Sequence, residues 1–292
     1  MSESALRKPN TLKVRGGSAR VIPGFGLTLG ITVTMLSVLI IIPLLSVLGY
    51  SVSLGPEGFW QVITRPNVVK AFVTSVVCSL LAAGVNCVFG LILAWVLTRY
   101  DFPGRRLMDG LIELPFALPT AVAGITLSKM YSSSGLVGGL IYKLTGYQVS
   151  YTKLGLTIAL VFVGIPFVVR ALQPVLEGLD RQYEEAAVIL GTGRWRTFRK
   201  VVLPELTPAL LTGFGLALAR GLGEYGSVIY ISGNSEKNGT QVVSYVIMQK
   251  LNSGNVDYAG ATAIALVLLI VSFLLLLLVT LLQNRAARRT SR

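Results

Sequence analysis

Residues 258–284 read YAGATAIALVLLIVSFLLLLLVTLLQN and contain no charged side chain. A helix needs about 20 predominantly apolar residues to cross the hydrocarbon core of a bilayer, and this stretch exceeds that length. Two other uncharged runs, Val21–Pro56 and Ala71–Thr98, are at least as long. The three runs predict an integral membrane protein whose spans are helices, because a helix satisfies its own backbone hydrogen bonds in lipid.

Three further apolar runs are shorter or interrupted by charges, and each is predicted to form another span. A start near Leu107 would lengthen the first of them, and Ala171–Leu176 would lengthen the second. The predicted fold class is therefore all-α integral membrane with six transmembrane helices. The additional runs are Leu114–Ser128, Leu154–Val169 and Leu206–Ser235, the last of which contains Arg220 and Glu224.

The composition excludes several classes of soluble protein. Hydrophobic residues make up 53% of the 292 positions, and charged residues make up 13%, whereas soluble domains contain about 25% charged residues. The chain has no histidine, which excludes histidine-based metal sites and Ser-His-Asp triads. The two cysteines, Cys78 and Cys87, lie in one apolar run and are predicted to act as small apolar residues.

Lysine and arginine are distributed unevenly along the chain. Eighteen of the 26 lie in the two tails and in two connections, at residues 1–20, 99–106, 170–200 and 285–292. Cytoplasmic loops carry such an excess of positive charge, so both termini are predicted to be cytoplasmic. The net charge of +13 is thereby explained by topology and requires no nucleic-acid partner.

The fourth connection, roughly residues 173–205, is long and charged. It reads YEEAAVILG at residues 183–191, with acidic residues at the start and a glycine at the end, which are the usual signals of a short helix and its stop. Apolar residues then recur at helical spacing on a basic stretch, at Trp195, Phe198 and Val202. We expect a helix, a glycine turn and a second helix on the cytoplasmic face.

This connection resembles the EAA loop of ABC importer permeases over its whole length. Glu185-Ala186-Ala187, Gly191, Val201 and Leu203-Pro204 stand at the family's spacing, although the family prefers isoleucine at position 201. In that family the loop forms a coupling helix that docks onto the ATP-hydrolysing subunit. The resemblance implies that a coupling loop at 177–205 uses Glu184, Glu185, Ala186, Ala187, Gly191, Leu203 and Pro204, with Gly191 at the turn.

Two more stretches narrow the resemblance. Residues 102–105 (FPGR) and 113–124 (ELPFALPTAVAG) look like CysT-type sulfate/thiosulfate permeases, and residues 220–226 (RGLGEYG) are similar to a stretch shared by sulfate and molybdate permeases. The resemblance implies a type I ABC importer permease fold in a bacterial inner membrane and the import of sulfate or thiosulfate into the cytoplasm. The implied partners are a second homologous permease subunit, two ATP-binding subunits, an extracytoplasmic sulfate-binding protein and membrane lipid. A molybdate or tungstate permease of the same class is the alternative.

The chain lacks a phosphate-binding loop of its own. It contains no Gly-Lys dipeptide, which the Walker A motif requires. We therefore expect a transport subunit that is not an enzyme and binds no cofactor, with ATP used by a partner. A secondary anion transporter that works without ATP would leave the coupling loop unexplained, and a membrane-embedded enzyme would lack a catalytic pair in the spans.

Arg220 is the one cation deep inside a predicted span. Ionisable residues within membranes are candidates for function, but Glu224 lies one helical turn away and can neutralise it. A structural ion pair and a direct contact with an anionic cargo both remain open. Thr120 and Ser232 are weaker candidates for the anion path, because polar helix packing explains their hydroxyls equally well.

The spans and charges divide the chain into four parts. Both ends are predicted to be basic cytoplasmic tails, and the core resembles the ABC transmembrane type-1 family. The parts are the first tail at 1–20, the first helix and outer loop at 21–70, the core at 71–284 and the second tail at 285–292.

Overall fold

The computed structural model describes residues 25–180 and 182–290, apart from the side chains of Tyr183, Glu184, Arg289 and Thr290. Regular structure in these two ranges is helical throughout, and no strand occurs in them. The chain divides between Ser46 and Val47 into two units.

The first apolar run forms a helix with a π-helical turn. Helix α1 (Phe25–Leu36) is followed by the turn Ser37–Ile41 and by α2 (Ile42–Val52). The turn ends two residues before Pro43, which lacks an amide hydrogen and whose ring crowds the preceding turn. A widened π turn is a common way to accommodate such a break in the hydrogen-bond ladder.

The second unit contains the remaining helices. Their order along the chain is α3 (Gly55–Ile63), α4 (Pro66–Arg99), α5 (Arg105–Ile112), α6 (Leu114–Ala117), α7 (Thr120–Tyr131), α8 (Leu136–Thr145), α9 (Lys153–Gly178), α10 (Gln182–Ile189), α11 (Arg194–Thr197), α12 (Leu203–Leu222), α13 (Gly226–Ile231), α14 (Val243–Asn252) and α15 (Tyr258–Thr290). A second π turn, Phe198–Val202, joins α11 to α12 and again ends two residues before a proline, Pro204.

Five helical stretches of the described chain are long and apolar enough to cross a membrane. They are Phe25–Val52, Pro66–Arg99, Lys153–Gly178, Arg194–Leu222 and Tyr258–Arg288. The one predicted span that is missing from these five is the third along the chain, between Leu107 and Ser128. It is divided among α5, α6 and α7. Leu118 is extended, with φ −86° and ψ 136°, because a residue that precedes a proline avoids the helical region.

The run Leu206–Ser235 is also not a single helix. Helix α12 ends at Leu222, and α13 begins at Gly226 after a short break. The apolar composition of this run predicted the span but did not reveal the break, which surrounds the charged residue Glu224.

The core of the second unit lies among α4, α9 and α12. Val168 of α9 is completely buried and lies between glycines of the two neighbouring helices. A Cβ atom on Gly90 would lie 2.7 Å from Val168 Cγ1, and one on Gly213 would lie 2.8 Å from Val168 Cα. Small residues allow such close approach of helices in membranes, which explains why the sequence places glycines here.

Candidate functional site

Arg220 and Glu224 form an ion pair at the end of α12. Arg220 Nη1 lies 2.6 Å from Glu224 Oε2. The Glu224 side chain is 1% exposed, whereas that of Arg220 is 35% exposed. The pair therefore holds a carboxylate inside the protein and leaves part of the guanidinium accessible.

The second carboxylate oxygen of Glu224 is engaged by the start of α13. Ser227 donates its amide hydrogen to Glu224 Oε1 at 2.8 Å and its hydroxyl hydrogen to the same atom at 2.9 Å. The Ser244 hydroxyl donates to the backbone carbonyl of Glu224 at 2.7 Å. A buried charge is tolerated when it is paired and hydrogen-bonded, so Glu224 is well placed to fix the break between α12 and α13.

Thr120 lies against the same break. It begins α7 directly after Pro119, and a Cβ atom on Gly226 would lie 3.1 Å from Thr120 Cβ and from the amide nitrogen of Ala121. The close contact requires glycine at position 226. The structure thus brings Thr120 next to the Glu224–Ser227 turn, where two interrupted helices begin.

Ser232 lies at the other end of α13, directly after its last residue. Its side chain is completely buried, and its hydroxyl donates to Asn234 Oδ1 at 3.0 Å and accepts from the Asn234 amide at 3.2 Å. Gly233 and Asn234 both have positive φ, 66° and 45°. The hydroxyl of Ser232 thereby supports a tight turn after α13.

The Arg220 site has the donors that an oxyanion needs. A guanidinium carries five N–H donors in a planar fork, and among the described residues the ion-pair partner of Arg220 is Glu224 alone. Its accessible donors can therefore form charge-assisted hydrogen bonds with a second anion. The geometry serves both interpretations of the pair, as a structural link and as an anion contact.

The predicted helix, glycine turn and second helix are all present in the loop between α9 and α12. Helix α10 ends at Ile189, and Gly191 adopts φ +73°. The Gly191 amide donates to the Val188 carbonyl and the Thr192 amide to the Ala187 carbonyl, both at 2.9 Å. These two bonds form a Schellman motif, in which glycine is preferred because it has no Cβ atom.

The exposed side chains of this loop are unusually apolar. Ile189 and Leu190 are 85% and 83% exposed, and Glu185 and Ala186 are exposed beside them, while Ala187 is half-buried. The side chain of Glu184 lies outside the described part. An exposed apolar patch with a polar rim is typical of a protein contact surface.

The far end of the loop is fixed to the core. Val202 and Leu206 are buried to 1% and 0% exposure in the same cluster as α4 and α9 residues. Leu203 begins α12, and Pro204 follows the π turn Phe198–Val202, which accommodates the missing amide hydrogen of the proline. The junction between the loop and α12 is therefore packed into the core of the second unit.

Comparison with known proteins identifies the family. Residues 86–292 match the family of the "Binding-protein-dependent transport system inner membrane component". The chain belongs to this family. As an inner membrane component of such a system it is a multi-pass transport subunit.

Two relatives resemble the chain over nearly its whole length. The sulfate transport system permease protein CysT of Escherichia coli strain K12 is 47% identical over 272 residues, which is 93% of this chain and 97% of the relative. The protein of the same name from Salmonella typhimurium strain LT2 is 46% identical over the same shares. The resemblance to sulfate permeases that the sequence motifs indicated is thereby confirmed. These relatives are named as transport permeases and not as enzymes.

A solved structure shares the fold of this family member. It is a chain of the bacterial alginate ABC transporter in complex with an alginate pentasaccharide-bound periplasmic protein, with a TM-score of 0.73. The match covers 92% of this chain and 95% of that chain at 16% sequence identity. The predicted all-helical fold of ABC importer permeases is confirmed, but the third of the six predicted spans is not one unbroken helix.

Sequence reasoning missed one ionic cluster in this permease. Arg170 of α9 donates to Asp109 Oδ1 at 3.0 Å and to Glu113 Oε1 at 2.5 Å, and Gln173 Nε2 donates to Asp109 Oδ1 at 3.1 Å. The cluster joins α9 to the interrupted third span. The four-residue spacing of Asp109 and Glu113 places both acids on one helical face and was a signal that could have indicated it.

A buried amide was also missed. Asn86 of α4 is completely buried, and neither Oδ1 nor Nδ2 has a hydrogen-bond partner in the described part of the chain. It is the one amide side chain in the run 71–98, which is the feature of the sequence that distinguishes it.

Proposed function

We propose that this chain is the membrane subunit of an ATP-driven importer that moves sulfate and thiosulfate into the cytoplasm. The observation that carries the proposal is the 47% identity to a sulfate transport system permease protein across 93% of this chain and 97% of that relative. A molybdate or tungstate cargo has no comparable support, since both relatives described above are named for sulfate transport.

The complete importer contains other subunits that this chain contacts and whose functions it does not perform. They are a second homologous permease subunit, two ATP-binding subunits and an extracytoplasmic sulfate-binding protein. The host membrane is a bacterial inner membrane with both termini on the cytoplasmic side, which the distribution of lysine and arginine supports. The chain itself binds no cofactor, because its partner subunits bind and hydrolyse ATP.

The loop from α10 to α12 couples this chain to the ATP-binding subunits. The exposed side chains of Ile189 and Leu190 supply apolar area that a docking groove would bury, and Glu185 supplies a charge for a basic group on the partner. Gly191 sets the direction of the helix through its positive φ. When the ATP-binding subunits close, Leu203 and Pro204 transmit the movement to α12.

Sulfate passes the membrane near the break between α12 and α13. A doubly charged anion cannot enter hydrocarbon without donors, and the accessible part of Arg220 is the strongest donor group at that break. The Thr120 hydroxyl is a further donor in the same region, whereas the hydroxyl of Ser232 is engaged with Asn234. Glu224 keeps the guanidinium in place.

Uptake of labelled sulfate by reconstituted complex tests this proposal. Vesicles that contain the chain with its partner subunits and binding protein should accumulate sulfate only when ATP is supplied. Excess thiosulfate should compete, and excess molybdate should not. ATP-independent uptake, or competition by molybdate alone, would assign the chain to another class of transporter or cargo.

A further inference from the structure

An apolar groove of about 620 Å³ opens between α4 and the segment that begins with α11. One wall is the face of α4 from Cys87 to Val96, and Leu210 of α12 lies beside it. Val88 and Ile92 in this wall are 58% and 53% exposed, so the described residues leave it uncovered. Arg194, Trp195 and Phe198 also line the groove.

An aromatic stack forms one end of the groove. The Trp195 ring lies on Phe198 with centroids 5.7 Å apart and an interplanar angle of 22°. Phe198 meets the Trp95 ring edge-on, also at 5.7 Å, and the Arg99 guanidinium carbon lies 5.6 Å from the Trp95 ring centroid. Tryptophan and basic residues concentrate at the boundary between lipid and water.

The same end of the groove coincides with the ends of two membrane spans. One span ends at Arg99, and another begins at Arg194. From Trp95 back to Cys87 the wall extends about 12 Å along the α4 axis, towards the middle of the membrane. The apolar wall therefore lies at the depth of acyl chains, and the basic end lies at the depth of lipid headgroups.

The segment that closes the groove carries charge of one sign. Residues 194–200 read RWRTFRK, with four basic residues and no acidic one. Arg194 lines the groove, whereas Arg196 is exposed outside its lining. A helix from another subunit could cover the apolar wall, but it would need an acidic residue at its end to match Arg194. An anionic lipid would cover the apolar wall with an acyl chain and pair its phosphate with Arg194.

We propose that this groove is a binding site for an anionic phospholipid. One acyl chain lies along the Cys87–Trp95 wall, and the phosphate lies beside Arg194. Basic pockets between spans at the cytoplasmic face are suited to such headgroups. The site is independent of the cargo proposed above, since it rests on the groove and its charge alone.

Quenching of tryptophan fluorescence by lipids with brominated acyl chains tests the site. The chain has three tryptophans, and a full-length Trp60→Phe variant in vesicles reports on Trp95 and Trp195. Brominated phosphatidylglycerol should reach half-maximal quenching at an about fivefold lower mole fraction than brominated phosphatidylcholine, the effect expected of one basic residue near the headgroups.

Matched variants separate a site from general surface charge. Arg194→Gln should bring the two lipids to nearly equal quenching, Arg194→Lys should retain most of the preference, and Arg196→Gln should retain it too. Equal quenching by both lipids in the parent would reduce the groove to ordinary lipid contact and overturn the proposal. Equal loss in Arg194→Gln and Arg196→Gln would do the same, as would the absence of quenching by either lipid, which would show the groove covered by protein.

Discussion

Glu224 receives Arg220 Nη1 at 2.6 Å on one carboxylate oxygen and the backbone amide of Ser227 at 2.8 Å on the other. One nearly inaccessible carboxylate thus holds the cation of α12 and the first turn of α13. An anion that contacts Arg220 therefore meets a guanidinium whose positive charge is already balanced by Glu224.

Removal of Arg220 alone should prevent assembly. Arg220→Met leaves the buried Glu224 carboxylate without its partner, and breaking a buried pair in this way costs about 3–5 kcal/mol. Arg220→Met with Glu224→Gln removes both charges and should restore assembly. The amount of complex that elutes as one peak in size-exclusion chromatography measures this.

The transport rate of the assembled double variant then reports on the contact with cargo. Loss of a hydrogen bond to a charged group costs about 1.5–3 kcal/mol, so sulfate uptake should fall about tenfold or more. Parental uptake by the double variant would show that the pair is only structural. Normal assembly of the Arg220→Met single variant would contradict the structural role of the Arg220–Glu224 pair.

A β-branched residue at Gly191 should disrupt the loop, and one at Gly193 should not. Gly191 has φ +73°, which strains any residue with a Cβ atom, whereas Gly193 has φ −65°. A Cβ atom added at either position would meet nothing within 4 Å, so the backbone angle is what separates the two glycines. Gly191→Val should lower co-purification of the ATP-binding subunits, while Gly193→Val should leave it near the parental level.

Equal retention of the ATP-binding subunits by both variants would show that the Gly191 turn does not set the docking geometry. Equal loss in both would assign the effect to valine in the loop and not to the positive φ.

The Gly191 turn also shows what the sequence can predict. The acidic start, the glycine stop and the apolar periodicity are local signals, and the structure has the predicted helix, turn and helix. The break at Gly223–Tyr225 was not predicted, because apolar composition records that a segment lies in lipid but not whether its backbone is continuous. The break at Leu118 was not predicted either, although Pro119, which causes it, is visible in the sequence. The pairing of Arg170 with Asp109 was missed because it joins residues 61 positions apart.

A methyl group at Gly90 should destabilise the core. In Gly90→Ala the new Cβ atom would lie 2.7 Å from Val168 Cγ1, and overpacking of this kind costs about 1–3 kcal/mol. Gly84→Ala on the same helix meets no atom within 4 Å and should leave the stability unchanged or slightly raised, because alanine favours a helix over glycine. The midpoint of thermal unfolding in detergent measures both variants.

Val168→Ala provides the test of cause for this effect. It should partly rescue Gly90→Ala, because it removes the Cγ1 atom at 2.7 Å from the new methyl group but leaves the Val168 Cβ atom at 2.9 Å. If the double variant unfolds no later than Gly90→Ala alone, the contact with Val168 is not the source of the instability.

Acid should release the start of α15 through Asp257. Its carboxylate accepts from Lys250 Nζ at 2.6 Å and from the Gly260 amide at 2.7 Å. The hydrogen bond from Lys250, followed by that from Gly260, holds the pKa of Asp257 below its usual value. A lowered pKa in the folded state adds stability above the ordinary Asp value of about 3.9, and this stability is lost as the pH falls below it.

Hydrogen exchange of residues 257–261 should therefore show strong protection at neutral pH and lose protection as the pH falls below the ordinary Asp value of about 3.9. Asp257→Asn should show weak protection in both pH ranges, and Asp101→Asn, which removes an exposed partner of Arg105, should behave like the parent. Protection in Asp257→Asn that matches the parent at neutral pH would show that Asp257 does not anchor this helix.

The central claim is that a separate ATPase drives this chain through the loop at Glu185. The most direct measurement records ATP hydrolysis and labelled sulfate uptake in the same vesicles for the parent, Glu185→Lys and Glu236→Lys. Glu236 is also exposed but lies in the connection between the fifth and sixth predicted spans, outside the four basic segments assigned to the cytoplasm, so its charge reversal is the matched control. We predict that Glu185→Lys loses both hydrolysis stimulated by the binding protein and uptake, while Glu236→Lys retains hydrolysis and uptake like the parent. Parental hydrolysis and uptake by Glu185→Lys would contradict the claim.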